Sequence, residues 1–453
     1  MGRASEDKDR TTIEAWFHYY ISPDFLDGIR SLASEFEKSH PEYKVNITGH
    51  HFQRMPDEVA AAAARGEQPA LAEYLYLSTR EALDTRGRDG RPLFRSVEGA
   101  LRGRREARGE SAVVLDDVVP SARDYFSYGS EVVAMPWMVS TPIMFANRTL
   151  LERAGVERVP RTWRELAEAC AAVTAAPGGP EHGVTWANYG WFFQHAVAQQ
   201  GGLLADHGNG REGRPTRVLL DCPEALAYAR WWRGMHKDGH YLYTGTKADS
   251  TSTPKAFEET HAAFAQQRVA FVLGSSVEAE RVVGAGREHG FDVTAHPIPH
   301  NDEVPHHGDL IGGDALWLTD GLPERVEAGA LAFLRFLDSP EVAARRHRST
   351  GFSPVTKGAI DLLTREGWFD RNPHLRVAVD LLNVPAAGNA ARGALVQDFS
   401  GVHDLLTDAM HDVLMADADP GERLARAAEG ARALLDARRP FTPTTATDGR
   451  TDR

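Results

Sequence analysis

Apolar and polar residues alternate near the start of the chain in a pattern that predicts a strand, a helix and a second strand. Residues 12–16 alternate with period two, and residues 43–48 do so again. Between them, Ser22 and Pro23 supply an N-cap and a first-turn proline for a helix that ends near His40. The apolar face of this helix consists of Phe25, Ile29, Leu32 and Phe36. Together the three elements predict a β-α-β unit and hence an α/β fold.

The stretch 131–155 carries a change of pattern around which the rest of the chain is organised. Two apolar strand patterns are separated here by the polar step Ser-Thr-Pro at residues 140–142, and Asn147 then opens an amphipathic helix. A strand that leaves one apolar environment, presents small polar groups and enters another is what a crossing between two lobes requires. The same three residues also fit an ordinary turn, so the pattern alone leaves both interpretations open.

Length and charge narrow the function classes. The chain of 453 residues is long enough for two or more compact units, and its formal charge of -13 argues against nucleic acid or an anionic membrane surface as the main partner. No apolar run reaches the roughly 18 residues of a membrane span. Residues 86–108 are rich in Arg and Gly but lack interleaved aromatics, so we interpret them as a solvated loop with a short helix. Residues 1–10 and 439–453 are polar, and we expect flexible arms there.

The cysteines and the first residues leave the cellular compartment open. Cys170 and Cys222 permit one disulfide, but their spacing does not require it, and we expect free, buried thiols. The first residues lack the basic segment and the roughly 7 to 15 apolar residues of a secretory signal. The protein is therefore expected outside the cytoplasm if a signal was removed or missed, and in the cytoplasm if the sequence as given is complete.

Two groups of side chains are candidates for binding chemistry. Residues 186–193 contain five aromatic side chains; we assign most of them to the core, although one or two rings of such a group commonly line a cleft and stack on a sugar. A second group surrounds Pro305 and consists of His300, His306 and His307 with Asp302, Glu303 and Asp309. Because its spacing matches no helical two-histidine motif, we interpret this group as a surface loop and predict neither a metal site nor a cofactor.

Three short motifs occur in an order that resembles a known family. Residues 136–147 read P-x-x-x-S-T-P-x-x-x-x-N, Gly312 and Gly313 are adjacent inside an apolar strand pattern, and residues 350–354 read T-G-F-S-P. In this order they resemble the three lobe crossings of family 1 of the bacterial extracellular solute-binding proteins, the class that includes maltose- and glycerol-3-phosphate-binding proteins. The resemblance covers about residues 11 to 435.

The resemblance implies a periplasmic-binding-protein type II clamshell, in which hinge strands join two α/β lobes that close over a solute. Residues 11–139 and 310–351 would form the first lobe, and residues 140–309 and 352–438 the second. The implied partners are a small-molecule solute and, if the chain is exported, an ABC permease. We expect a monomer that binds its solute without catalysis.

The resemblance also implies a set of ligand-contacting positions. They are Phe52, Tyr76, Ser140, Asn188, Trp191, Ser275 with Ser276 as the alternative, Gly313, Phe352 and Arg392. Phe52 and Phe352 stand where the family has tyrosines, and Tyr76 stands where it has an acid. Asn188 replaces a tryptophan, and Arg392 lies beside the position of the family's arginine. Each polar group of a polyol phosphate left unmet would cost about 1–3 kcal/mol, so we predict a larger or more apolar carbohydrate-like or glycerophosphate-derived solute.

A second hypothesis keeps the clamshell but places it in the cytoplasm, as an enzyme of a specialised biosynthetic pathway. Closure that excludes water would serve catalysis as well as binding. The ionisable residues expected near the cleft are His18 in the loop after the first strand, Asp314 after the two glycines, and Arg392; each is also explained by a binding or structural role. No serine-elbow, phosphate-loop, dinucleotide or zinc-protease motif accompanies them. A sensor that presents its closed form to a signalling partner would leave the same marks.

Overall fold

The computed structural model of the chain describes residues 10–19, 25–102 and 115–437. The Ser22-Pro23 helix start, most of both expected terminal arms and part of the Arg- and Gly-rich stretch lie outside the described residues. The described strands in chain order are β1 (Thr11–Tyr19), β2 (Tyr43–His51), β3 (Leu71–Leu75), β4 (Phe94–Arg95), β5 (Ser127–Tyr128), β6 (Glu131–Val132), β7 (Met135–Ser140), β8 (Pro142–Asn147), β9 (His182–Thr185), β10 (Tyr241–Leu242), β11 (Val269–Ser275), β12 (Val293–Pro297) and β13 (Gly312–Thr319).

Two larger sheets organise these strands. The first has the order β2-β1-β3-β13-β4, with β7 pairing on β13, and the second has the order β10-β9-β11-β8-β12. In the first sheet β13 runs antiparallel to β3, β4 and β7, and in the second β8 runs antiparallel to β11 and β12. A separate hairpin pairs β5 with β6. The strands of each sheet therefore come from segments that are far apart in the chain.

Helices surround both sheets. The described right-handed α-helices span Leu26–Ser39, Met55–Arg65, Thr79–Asp84, Val97–Leu101, Pro120–Tyr125, Arg148–Arg153, Trp163–Ala175, Gly190–Gln199, Pro223–Lys237, Thr253–Ala265, Ala279–His289, Glu324–Leu337, Pro340–Thr350, Lys357–Arg365, Trp368–Arg371, Pro373–Leu382, Phe399–Met415 and Pro420–Ala437. The short helical segment Asp206–Gly210 has left-handed backbone angles at its three central residues. Short 3-10 turns span Tyr76–Ser78, Leu115–Asp117 and Ser276–Glu278. Among the described residues, no helix combines the length and the apolar character that crossing a membrane would take.

The predicted β-α-β unit is confirmed, because β1 and β2 pair in parallel on either side of the helix Leu26–Ser39. The expected loop position of His18 is wrong, since β1 continues to Tyr19. The alternating pattern breaks after Trp16 because Phe17 and His18 are consecutive and both buried. A strand whose two faces are both covered loses the period-two signal on which the prediction relied.

The aromatic and cysteine residues of the second unit are largely core. Trp186 is buried and stacks on Trp231 with ring centroids 5.8 Å apart and planes inclined by 5°. Cys170 is a buried free thiol, and Cys222 is a partly buried one. Burial raises the pKa of both thiols, so they remain protonated and unreactive at neutral pH. The predicted free thiols are confirmed.

Candidate functional site

The polar step at residues 140–142 is the first crossing between the two sheets. β7 ends at Ser140 in the first sheet, and β8 begins at Pro142 in the second. Thr141 between them is fully buried, and its Oγ1 donates a 2.8 Å hydrogen bond to the main-chain oxygen of Leu310. Its main-chain N–H donates to Ser276 Oγ at 3.1 Å. The small polar side chain at the crossing thus satisfies backbone groups of the elements that meet there.

The adjacent glycines of β13 allow two close approaches at the second crossing. A Cβ on Gly312 would lie 2.7 Å from Cζ2 of Trp191 and 3.1 Å from Oγ of Ser140. Gly313 has φ 110°, and a Cβ there would lie 2.0 Å from the main-chain oxygen of Met138. Any larger residue would push β13 away from β7 or from the indole ring. The glycine pair therefore has a packing reason independent of any ligand.

The third motif, residues 350–354, lies against the first crossing between the sheets. The main-chain N–H of Ser353 donates a 2.8 Å hydrogen bond to the oxygen of Val139 in β7. Gly351 has φ 78°, and a Cβ there would lie 2.6 Å from the main-chain oxygen of Val277. Phe352 between them is half-buried, and its main-chain oxygen lies 2.8 Å from His347 Nδ1. All three sequence motifs meet where the two sheets join.

An aromatic wall, formed by Tyr76, Tyr125, Tyr189 and Trp191, connects the two units beside the hinge. The rings of Tyr76 and Trp191 lie with centroids 6.4 Å apart, and those of Tyr76 and Tyr125 lie 5.9 Å apart. Tyr76 follows β3 of the first sheet, whereas Tyr189 is the N-cap of the helix Gly190–Gln199 of the second unit and Trp191 lies in its first turn. Burial raises the pKa of Tyr76, so its hydroxyl remains neutral. In this conformation Tyr189 is partly exposed and the other three rings are buried. Flat aromatic faces with phenolic hydroxyls are of the kind that stack on a sugar ring.

A cavity of about 300 Å³ lies between the units next to this wall. Its described lining contains four carboxylates and no Lys, Arg or His side chain. The carboxylates belong to Asp57, Glu81, Asp398 and Asp404. Asp404 accepts a 2.9 Å hydrogen bond from the N–H of Ser250, and desolvation raises the pKa of this carboxyl. The cavity therefore accepts hydrogen bonds and favours neutral or cationic groups over anionic ones.

The predicted ligand positions divide between the cleft and structural roles. Phe52 lines the cavity, Tyr76 and Trp191 belong to the aromatic wall, and Ser140 and Gly313 lie in paired hinge strands. The amide of buried Asn188 donates a 2.8 Å hydrogen bond to the main-chain oxygen of Thr407.

Of the two serines considered, Ser276 is the one that contacts the hinge. Its Oγ accepts from Thr141, and its N–H donates to the Thr141 oxygen at 3.0 Å. Ser275 is partly exposed, and its Oγ accepts a 3.4 Å hydrogen bond from the N–H of Val277, which caps the following 3-10 turn.

Arg392 directs its guanidinium at the main chain of its own neighbourhood. Nε donates to the oxygen of Asp124 at 3.2 Å, and Nη2 donates to the oxygen of Ser127 at 3.0 Å. The sequence missed Arg211, whose buried guanidinium donates to the oxygens of Tyr125 (2.6 Å) and Gly393 (3.0 Å). Burial lowers the pKa of Arg211 to about 9. Arg211 positions Tyr125 of the aromatic wall, and no feature of its local sequence indicates this.

Of the residues considered for acid-base chemistry, the structure brings two together. His18 Nε2 lies 3.0 Å from Asp314 Oδ1, and both side chains are fully buried. Glu73, which the sequence did not single out, accepts a 2.9 Å hydrogen bond from the main-chain N–H of His18 and another from Trp137 Nε1. Burial alone would lower the pKa of His18, but the charges of Glu73 and Asp314 and the hydrogen bond to Asp314 raise it to about 9. Arg392 makes its hydrogen bonds elsewhere.

The histidine-rich segment is held by a residue from another element. Asp309 Oδ1 lies 3.0 Å from His195 Nε2 and 3.6 Å from His306 Nε2, and it accepts a 3.0 Å hydrogen bond from Gln199. Although burial opposes it, the hydrogen bonds from both histidines lower the pKa of Asp309 far below its ordinary range. Asp309, which precedes β13 by three residues, is thus an anchored carboxylate, whereas the sequence suggested a plain surface loop.

Comparisons with known proteins identify the family. A sequence model described as bacterial extracellular solute-binding protein matches residues 31–377. The sn-glycerol-3-phosphate-binding periplasmic protein UgpB of Yersinia enterocolitica is 27% identical over 365 residues, which are 79% of this chain and 77% of the relative. UgpB of Escherichia coli K12 is 25% identical over 435 residues, 94% of this chain and 92% of the relative.

Solved structures show the same fold. UgpB from Mycobacterium tuberculosis, in complex with glycerophosphocholine, superposes with a TM-score of 0.68 at 20% identity over 94% of this chain and 99% of its own. The sugar-binding protein MalE from Xanthomonas citri gives a TM-score of 0.73 at 17% identity over 94% and 98%. The fold is that of a type II periplasmic-binding protein, as the motifs predicted. With a family match over most of its length and a hinge joining two α/β units, the chain belongs to the bacterial extracellular solute-binding proteins, which capture solutes for ABC importers.

Proposed function

We propose that this protein captures a carbohydrate-like or glycerophosphate-derived small molecule between its two lobes and delivers it to an ABC permease from outside the cytoplasmic membrane. The observation that carries the proposal is the aromatic wall, because the rings of Tyr76 of the first unit and Trp191 of the second meet across the boundary between the units, with centroids 6.4 Å apart. A solute that contacts both rings gains its full contact area only when the lobes are closed, so binding shifts the population to the closed form.

The lobes of this proposal follow the limits that the sequence predicted: residues 11–139 with 310–351, and residues 140–309 with 352–438. The protein acts as a monomer that exposes its closed form to the permease. Closure turns on the crossings at Thr141 and at Gly312-Gly313. A single residue joins the two sheets at the first crossing, and residues 298–311 join β12 to β13 at the second.

The chemistry of the cavity narrows the solute class. Its four carboxylates accept hydrogen bonds from hydroxyl or ammonium groups and repel a phosphate. A glycoside, or a glycerophosphodiester whose alcohol part enters the cavity, satisfies this lining better than glycerol-3-phosphate does. The relatives give the panel to test: sn-glycerol-3-phosphate, glycerophosphocholine and maltotetraose are named with them.

The alternative of a biosynthetic enzyme has less support. His18 and Asp314 are fully buried, so neither reaches the cleft surface in this conformation. The guanidinium of Arg392 donates to main-chain oxygens instead of facing the cavity.

Isothermal titration calorimetry of the full chain with this panel tests the proposal. We expect saturable one-to-one binding of maltotetraose or glycerophosphocholine, with glycerol-3-phosphate at least tenfold weaker. Trp191→Phe and Tyr76→Ala should weaken the tightest solute at least tenfold. Trp231→Phe is the matched control, because this ring stacks in the core on Trp163 and Trp186 and should leave affinity unchanged. Binding of no panel member, or equal affinity in all variants, would contradict the proposal.

A further inference from the structure

A cluster of three buried ionisable side chains lies below the cleft, in the first sheet. It consists of His18, Glu73 and Asp314, each with a fully buried side chain. One potential metal-ligating atom from each side chain lies within 4.8 Å of the other two. In the described part of the chain, this is the group of three His, Cys, Asp or Glu side chains whose ligand atoms come that close together. The ring of His18 lies 6.4 Å from Phe52, a residue of the cavity lining, so the cluster sits one side chain behind the cleft.

A side-chain hydrogen bond at the end of one strand pair and a bulge in another strand bring these groups to one point. β1 and β3 pair through Trp16 and Ala72, and one residue further along β3 the Glu73 carboxylate takes a main-chain hydrogen bond from His18. In β13 the register shifts between Asp314 and Ala315, which marks a bulge next to the two glycines. Bulges re-aim a side chain relative to the regular pleat, and here the redirected side chain meets His18.

The spacing of the donor atoms suits a small divalent cation. His18 Nε2 lies 3.0 Å from Asp314 Oδ1 and 3.9 Å from Glu73 Oε2. Ligand atoms around a tetrahedral Zn²⁺, with bonds of about 2.0–2.2 Å, lie about 3.3–3.6 Å apart. The observed separations bracket that range, so side-chain shifts of a few tenths of an ångström would complete a coordination set of one imidazole and two carboxylates.

The surroundings also match those of a metal ligand set. Trp137 Nε1 donates to Glu73 and fixes the orientation of this carboxylate, as outer hydrogen bonds do for metal ligands. The buried guanidinium of Arg346 stacks over the ring of Trp137 at 4.5 Å and pairs with Asp338 at 3.3 Å. A divalent cation would balance the charges of both carboxylates in the cluster while His18 stays neutral. A proton on the imidazole would balance only one of those two charges.

We propose that His18, Glu73 and Asp314 bind one divalent first-row transition-metal cation, of which Zn²⁺ is the probe. The cation would join β1, β3 and β13 at the foot of the second hinge crossing and stabilise the first lobe. This site is separate from the solute cavity, so its failure in a test would leave the proposed solute binding standing.

Metal content and X-ray absorption test the proposal on the full chain. The protein is stripped with EDTA, incubated with ZnCl₂, desalted and assayed by mass spectrometry. We expect about one Zn²⁺ per chain, a higher Tm with Zn²⁺ than without, and an absorption spectrum with one imidazole and oxygen ligands. Glu73→Gln and Asp314→Asn, which keep size and hydrogen-bonding shape, should each weaken Zn²⁺ binding at least tenfold.

A double variant of the histidine-rich segment is the matched control. His300→Gln together with His306→Gln removes imidazoles outside the cluster and should leave the Zn²⁺ content unchanged. Loss of metal in this control, a spectrum with two or more imidazoles, or no Zn²⁺ retained by the unaltered chain would overturn the proposal. The spectrum of the unaltered chain decides the question even if the buried variants fail to fold.

Discussion

The indole N–H of Trp191 donates a 3.2 Å hydrogen bond to the main-chain oxygen of Ile311. Trp191 lies in the first turn of a helix of the second unit, and Ile311 immediately precedes the strand β13 of the first sheet. One side chain of the aromatic wall is therefore anchored to the backbone of a hinge segment. Under the proposed function, a movement of β13 would displace this ring, and a solute that contacts the ring would act on the crossing between the sheets.

Gly312→Ala should disturb this anchor directly. The added Cβ would lie 2.7 Å from Cζ2 of Trp191, and an approach that short forces the ring or the strand to shift. We expect a loss of about 1–3 kcal/mol of stability from overpacking and at least a tenfold loss of solute affinity. Urea unfolding and calorimetry with the tightest solute measure the two effects.

Gly234→Ala is the control for this substitution. Gly234 lies inside the helix Pro223–Lys237, and a Cβ there meets nothing within 4 Å. Alanine in a helix interior should raise stability by about 0.5–1 kcal/mol and leave affinity unchanged. Unaltered affinity in Gly312→Ala would show that the position of the Trp191 ring does not govern binding.

The crossings were predictable because their signals are local. The Ser-Thr-Pro step of residues 140–142 and the Gly312-Gly313 pair each interrupt an apolar strand pattern within a few residues, and the structure places both where the sheets join. Asn147 was likewise identified as an N-cap, and its side chain accepts a hydrogen bond from the N–H of Leu150. Interactions between residues close in the chain determine such positions, so they can be recognised from the sequence alone.

The partners of the buried charges were not predictable, because they are distant in the chain. His18 and Asp314 are separated by 296 positions, and Arg211 donates to a main-chain oxygen 182 positions away, at Gly393. Glu73 follows Ala72 in an apolar strand and gives no local sign that Trp137 and His18 will meet it. Only the assembled sheets bring these groups within hydrogen-bonding distance.

Arg211→Lys should destabilise the fold although the charge is kept. The planar guanidinium donates to main-chain oxygens on two segments at once, those of Tyr125 and Gly393, and an ammonium cannot reach both with the same geometry. We expect a loss of about 3 kcal/mol in urea unfolding, since hydrogen bonds to charged groups contribute about 1.5–3 kcal/mol each. Arg217→Lys, at an exposed arginine nearby, should change stability by less than about 0.5 kcal/mol. Equal stability of both variants would show that the hydrogen bonds from the Arg211 guanidinium to the two segments do not stabilise the fold.

His403 should make the protein less stable as the pH falls below about 6.5. Burial lowers the pKa of His403 to about 3, against 6.5 in the unfolded chain. Its contribution is complete above pH 6.5 and is lost as the pH falls toward the folded-state pKa, because the unfolded chain takes up a proton that the folded chain refuses. The loss from this one group is about 1.4 kcal/mol per pH unit between pH 6 and pH 4.

His403→Phe should remove this one-proton component, because the ring lies among the aromatic rings of Tyr189 and Phe399. The slope of unfolding free energy against pH, measured in urea from pH 4 to pH 7, should become shallower by one proton. His289→Phe, at an exposed histidine, should leave the slope unchanged. An identical slope in His403→Phe would mean that the folded protein accommodates a charged His403.

Ser276→Ala should cost more stability than Ser275→Ala, although the two serines are neighbours. Ser276 Oγ is the acceptor for the N–H of Thr141, which is fully buried at the first crossing, and an unsatisfied buried donor costs about 1–3 kcal/mol. Ser275 Oγ accepts a longer bond of 3.4 Å from Val277 in a partly exposed turn, so its loss should cost less than about 1 kcal/mol. Urea unfolding of the two variants measures the difference, and calorimetry with the tightest solute separates stability from binding. A larger stability loss in Ser275→Ala would contradict the assignment of Ser276 to the hinge, whereas a loss of solute affinity confined to Ser275→Ala would show that the partly exposed hydroxyl contacts the solute.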